Sequence, residues 1–201
     1  MRKIMFNDNH GLTTTVLYGK KTQTRRIIEA MPKEPRIAYG LEDEAGYVHL
    51  LDNYTVAAKS RFKIGEVVAV AQSYFDIKIS VNSYRPPIWE GYREWHKYLE
   101  SLPTNGGGYY NKMFVRADLM PHKIKITDIR VQRLQDISED ECLAEGIIRS
   151  SIGGYTYIKR GKNQILDTPY KAYASLADKI YGKGTWERNP YVFVYNFKLV
   201  K

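Results

Sequence analysis

Cysteine is almost absent: Cys142 is the only one in 201 residues. That excludes a disulfide framework and any metal site built on paired thiolates. Long apolar runs are missing too, because no stretch approaches the roughly 20 residues that a membrane-spanning helix requires. The opening MRKIMFNDNHG lacks the apolar core of a secretory leader, so a cytoplasmic protein with no membrane partner is expected. The phosphate-cradling patterns GxxxxGK[ST] and GxGxxG do not occur, and neither does the serine elbow of α/β-hydrolases. Four histidines, His10, His49, His96 and His122, are scattered without metal-ligand spacing and read as surface or packing residues. Neither a metal nor a cofactor is expected.

What the chain has in excess is positive charge. Lys and Arg number 31 against 22 Asp and Glu, a formal +9. Such a balance biases a surface toward polyanions, although a merely solubilising surface has the same composition. With 43% hydrophobic residues the chain can close one good core, and a second independent domain would be small. One domain over residues 1–201 is expected, with polar insertions at about 29–61, 76–111 and 150–164.

Local signals place the elements. Arg2 to Phe6 is a short apolar start, and NDNHG suits a turn or a helix N-cap. A helix from about His10 puts Leu12, Val16 and Leu17 on one face and ends at Gly19. TQTRRII resumes as a strand. GYVHLLDNYTVAA reads as a hairpin with its turn at DN, inside an otherwise polar stretch. Val67 to Ala71 fits a strand buried on both faces. Residues 76–111 look like a poor core builder, a lid or loop excursion holding one short helix in WEGYREWHKYLESL. Its Gly106 to Gly108 run, with Tyr109 and Tyr110, is a loop first and a base-stacking loop second. In KIKITDIRVQRL the phase of Ile124 and Ile126 differs from that of Ile129 and Val131, which predicts a bulge near Thr127 and Asp128. ISEDECLAEGI is a helix with Ser138 at the N-cap, Glu141 completing a capping box, Ile137 and Cys142 as a staple, and Gly146 as the stop. A hairpin is expected around Gly153 and Gly154. TPYKAYASLADKIYG is a helix with Thr168 at the N-cap and Pro169 in its first position. YVFVYNFKLV reads as a mid-sheet strand.

Two features carry chemistry. In GKKTQTRR, residues 19–26, four cations and two hydroxyls follow a glycine. The run can be a phosphate-binding strip, a catalytic lysine beside its threonine, or a solvated strand. Threonine is inert until a base takes its proton, and a lysine becomes that base only where burial or neighbouring cations lower its pKa. Lys20, Arg25 and Arg26 are such cations for Lys21. Residues three apart on a regular strand face opposite ways, so Lys21 meets Thr24 only if the chain bends. The second feature is Glu145. Glu139, Asp140 and Glu141 are explained by the dipole at the N-terminus of their helix, whereas a carboxylate in its last turn opposes that dipole. It is either an exposed glutamate tolerated there or a residue with a partner elsewhere.

Taken together, the helix before GKKTQTRR, the KIGEVVAV strand, the KITDIRVQRLQDISEDECLAEGI strand and helix, and the closing TWERNPYVFVYNFKLV resemble the ASCH domain family over some separated blocks of the chain. That family is similar in fold to PUA domains, and the members nearest this chain are bacterial and phage-type. The resemblance implies an α+β fold: a small mixed β-barrel with flanking helices, enlarged here by polar insertions. Small bacterial relatives hydrolyse N4-acetylcytidine, and their motif falls on Lys21 and Thr24, with Arg26 at the arginine position and Glu145 as the catalytic carboxylate. It implies metal-independent amidohydrolase chemistry in which Lys21 activates Thr24 and Glu145 assists proton transfer to the leaving amine. The expected partner is RNA or a modified nucleoside, with Lys20, Arg25, Arg26, Lys123, Lys125 and Arg130 as phosphate contacts. A non-catalytic RNA-binding module, a single-strand ribonuclease and an accessory protein of a phage or mobile element stand as alternatives.

Overall fold

The computed structural model describes residues 1–29, 38–52, 55–79, 92–158 and 164–200. In chain order its elements are β1 (Lys3–Ile4), α1 (Leu12–Leu17), β2 (Gln23–Ile27), β3 (Ala38–Glu42), β4 (Tyr47–Asp52), β5 (Thr55–Lys63) and β6 (Val67–Val70). There follow α2 (Tyr74–Ile79), α3 (Tyr92–Ser101), α4 (Gly107–Tyr110), β7 (Lys123–Arg133), α5 (Glu139–Ala144), β8 (Ile148–Arg149), β9 (Tyr155–Thr156), α6 (Pro169–Tyr181), α7 (Thr185–Arg188) and β10 (Tyr191–Val200). The fold is mixed α+β. Its strands form a five-stranded sheet in the order β1-β6-β7-β10-β2, a three-stranded meander β3-β4-β5 and the ribbon β8-β9. A barrel needs every strand bonded on both sides, and no closed barrel is found among the described residues. Asn53 of the expected DN turn, Pro86, Pro87 and residues 159–163 lie outside the described residues.

Contacts cluster into two compact units, Met1–Phe6 with Val68–Lys123, and Asn7–Val67 with Ile124–Lys201. In the smaller unit β1 runs parallel to β6, with Lys3 opposite Ala69 and Ile4 opposite Val70. Around this pair the 76–111 stretch does build a core, contrary to its polar composition. Ala71, Tyr74, Ile77, Leu99, Leu102 and Met120 are buried together, and Trp95 and Tyr98 pack against them. The reason is spacing: Trp95, Tyr98 and Leu99 of α3, and Leu102 just past its end, fall at i, i+3, i+4 and i+7 and form an apolar stripe among the charges.

The larger unit is centred on β10, whose Val192, Phe193, Val194 and Tyr195 are all buried, as a strand covered on both faces requires. Its antiparallel register with β2 places Val194 opposite Arg25 and Tyr195 opposite Thr24. On β7, Ile124, Ile126 and Ile129 are buried, so the apolar phase does shift between Ile126 and Ile129. Ser138 and Glu141 form the reciprocal capping box that starts α5, and Thr168 caps α6 ahead of Pro169. The hairpin expected near Gly153 and Gly154 is the β8-β9 pair.

Candidate functional site

The bend that the GKKTQTRR motif needs is built from main-chain bonds. Gly19, at φ +68°, leaves α1 in the left-handed region that glycine adopts without strain. The Lys20 and Lys21 N–H groups both donate to Thr15 O, at 2.9 and 3.0 Å, and the Thr22 N–H donates to Ala144 O at 2.9 Å. The segment is therefore tied at once to the end of α1 and to the end of α5. Lys21 precedes β2 and is free of its alternation.

From that position Lys21 reaches the C-terminus of α5. Its Nζ donates to both the main-chain oxygen and Oε2 of Glu145, each at 2.6 Å. A cation there offsets the negative end of the helix, which explains how α5 tolerates a carboxylate in its last turn. Lys21 and Glu145 are only 1% and 4% exposed. Burial is the main cause that holds the Lys21 pKa below its ordinary value of 10.5; the Glu145 carboxylate works against that shift, and the Arg26 and Arg25 guanidiniums add to it.

Glu145 also takes a second cation. Arg25 Nη1 lies 3.2 Å from Glu145 Oε1, while Nη2 lies 3.0 Å from Glu141 Oε2 and Nη1 donates to Gln23 Oε1. Beyond it, Arg130 bonds Glu141 Oε1 and lies 3.3 Å from Asp128 Oδ2. A chain of alternating charges thus runs Lys21, Glu145, Arg25, Glu141, Arg130, Asp128. Tyr173 and Tyr181 close the buried side: the Arg25 guanidinium carbon lies 5.8 Å from the centroid of the Tyr173 ring, and the Tyr181 hydroxyl donates to Arg25 O at 2.5 Å. Burial raises the pKa of both phenols, that of Tyr181 to about 12, so both are neutral at neutral pH.

Thr24 is placed differently. Strand alternation sets Gln23 and Arg25 on the face of the Glu141 and Glu145 carboxylates, and sets Thr24 and Arg26 on the face shared with Tyr195 and Phe193. Thr24 is buried, and its hydroxyl makes no hydrogen bond among the described residues. Lys21 nonetheless feels Arg26 as well as Arg25, so its ammonium stands at the end of β2 within electrostatic reach of both faces. The structure brings Lys21 and Glu145 into contact and puts Thr24 near the same strand end without bonding it to either.

The expected phosphate contacts divide. Arg25 is not one of them, being 1% exposed and held by two carboxylates. Arg130 is spent on Glu141, Asp128 and Gln132. Lys20 and Lys125 are exposed, and Arg26 and Lys123 are half-buried. A cleft of about 240 Å³ opens between the meander and β7, lined by Glu42, Val48, Ile64, Asp128 and Arg130 among others. Arg130 connects it to the charge chain that ends at Lys21.

No family model, no curated protein and no solved structure matches the chain. Among the described residues there is no cluster of three or more His, Cys, Asp or Glu able to hold a metal ion, and no helix long and apolar enough to cross a membrane.

Sequence reasoning did not find the second role of Glu141, because the capping box already accounted for it. Its Oε2 accepts from the Ser138 N–H at 3.0 Å and from Arg25 as well. It also missed Gln23 and Asn196, whose side chains bond each other at 2.7 Å. The available signal was period: Gln23 and Arg25 are two apart on one strand.

Gly146 has a further duty. With φ at +103°, an added Cβ would stand 3.2 Å from Thr15 Oγ1 and 3.6 Å from Lys21 Cδ. Gly146→Ala is expected to destabilise the protein by about 1–3 kcal/mol through backbone strain. A melting temperature equal to that of the parent would refute this.

Proposed function

We propose that this protein is an ASCH-type, PUA-like amidohydrolase that removes the acyl group from N4-acetylcytidine or a closely related acylated nucleoside. The observation that supports it most is the buried 2.6 Å contact of Lys21 Nζ with Glu145 Oε2, beside the strand that carries Thr24. In this reading the neutral Lys21 amine takes the Thr24 proton, and the Thr24 oxygen attacks the acetyl carbonyl carbon. The C–N bond then breaks, the leaving amine receives a proton with help from Glu145, and water releases acetate from the threonine ester. Lys21, Thr24 and Glu145 are at most 5% exposed, so the reading requires substrate binding to open the strand end. A free nucleoside is therefore the first substrate to test. Release of cytidine and acetate from N4-acetylcytidine by the wild-type protein is the expected result; inactivity across a panel of acylated nucleosides would overturn it.

The pH dependence has a definite sign. The active form of Lys21 is deprotonated, and burial lowers its pKa from 10.5. Turnover is expected to rise with pH along a limb whose midpoint lies below that value, and Lys21→Arg should have no such limb. Stability follows the same direction: between the lowered folded pKa and the unfolded one the unfolded chain binds more protons, so this group's contribution increases with pH across that window. A pH–rate profile and melts over the same range measure both.

The exposed Lys20 and Lys125 favour a second reading, RNA binding without turnover. Its mark is an affinity that falls steeply with salt in a protein that leaves acetylcytidine intact.

A further inference from the structure

The smaller unit exposes an aromatic group at the edge of its core, against which Tyr109 packs. Tyr109 and Tyr110 leave α4 with ring centroids 4.7 Å apart, and Phe75 of α2 stands 5.8 Å from the first and 5.3 Å from the second. Tyr110 is 75% exposed, and the neighbouring Met113 and Phe114 are 57% and 64% exposed. The glycines before them make this arrangement possible. A Cβ on Gly108 would stand 2.7 Å from the Tyr74 ring, and one on Gly107 would stand 3.2 Å from Phe114 Cγ, so the backbone of α4 lies directly against both rings.

Charge decides what such a surface fits. Lys3 Nζ donates to Met113 O and Val115 O, each at 2.6 Å, which holds its one ammonium to the carbonyls on either side of Phe114. Among the described residues no carboxylate pairs with it. Lys112 is held nearby by its bond to Phe6 O. The Lys3 ammonium is thus held by uncharged carbonyl acceptors, with no paired anion among the described residues to offset its charge.

We propose that Tyr110 and Phe114, with Lys3, form a docking platform for single-stranded nucleic acid. Bases stack on the two exposed rings, whose faces accept any base, and the Lys3 ammonium contacts a phosphate between them. An apolar protein partner would have no use for an ammonium held at the Phe114 main chain. The inference rests on the nucleic-acid side of the reading above and does not depend on hydrolysis, so turnover of free acetylcytidine tests the two separately.

Fluorescence anisotropy with short labelled oligouridylate, oligothymidylate and an abasic strand of the same length tests it. The full chain is expected to bind both base-bearing strands more tightly than the abasic one. A preference for oligouridylate assigns the platform to RNA, and equal binding assigns it to single strands in general. Tyr110→Ala is expected to weaken binding by about 5- to 100-fold, Tyr110→Trp to preserve it, and Lys3→Ala to reduce the salt slope by about 1. Equal affinity for the abasic strand, or Tyr110→Ala binding as well as wild type, would overturn the proposal. So would a wild-type protein that ignores the strands but sediments as a dimer that Tyr110→Ala dissociates, which would make the surface a contact between copies of this chain.

Discussion

Under the proposed amidohydrolase reading, Lys21→Arg is expected to lower kcat on N4-acetylcytidine by about 10²- to 10⁴-fold, the usual contribution of a positioned general base. Arginine keeps the positive charge opposite Glu145, but its guanidinium does not deprotonate in proteins and cannot take the Thr24 proton. The substitution therefore separates the charge of Lys21 from its basicity. Lys21→Met removes both and should be equally inactive. Thr24→Ala tests the nucleophile independently, because the Thr24 hydroxyl makes no hydrogen bond among the described residues and its loss should leave the melting temperature nearly unchanged. If Lys21→Arg and Lys21→Met retain wild-type kcat, the assigned base is wrong; if only Thr24→Ala retains it, the nucleophile is water and the lysine assignment stands.

The largest effect on stability is expected from Glu145→Ala. That carboxylate is 4% exposed and faces Lys21 on one oxygen and Arg25 on the other. Its removal leaves two cations buried together with the C-terminus of α5 and Glu141 as their remaining partners. Breaking a buried pair in this way costs about 3–5 kcal/mol, and for a chain of this length each kcal/mol lowers Tm by about 2–4 °C. A fall of about 6–20 °C by calorimetry is the expected result. Combining Glu145→Ala with Lys21→Met should cost less than the sum of the two, since the second change removes one of the stranded charges. Strict additivity in that cycle would show that the two groups do not act on each other.

The signals that could be read from the sequence were those that act over one turn or one strand. Ser138 and Glu141 announce α5 because the capping bonds span three residues. Gly19 announces the bend because its left-handed φ is a property of the residue itself. Glu145 was marked as unexplained by its conflict with the helix dipole, and the resemblance to ASCH domains joined it to Lys21. The 76–111 stretch was misread because composition averages over a helix: Trp95, Tyr98, Leu99 and Leu102 make a stripe among charges that dilute the mean. Arg25 was misread because an arginine within a basic run has the same local signal whether it faces solvent or two carboxylates.

The sequence by itself determined the caps of α5 and α6, the phase shift along β7, the glycine bend and the conflict of Glu145 with its helix dipole. Backbone geometry and side-chain period decide those within a few neighbours. Only the tertiary structure decided that Lys21 and Glu145, 124 positions apart, are in contact, that Arg25 is neutralised rather than offered to phosphate, and that the faces of β2 divide Thr24 from Arg25. These follow from which strand lies beside which and from the helix that covers them. That order is set by the summed burial of the whole chain and not by any segment of it.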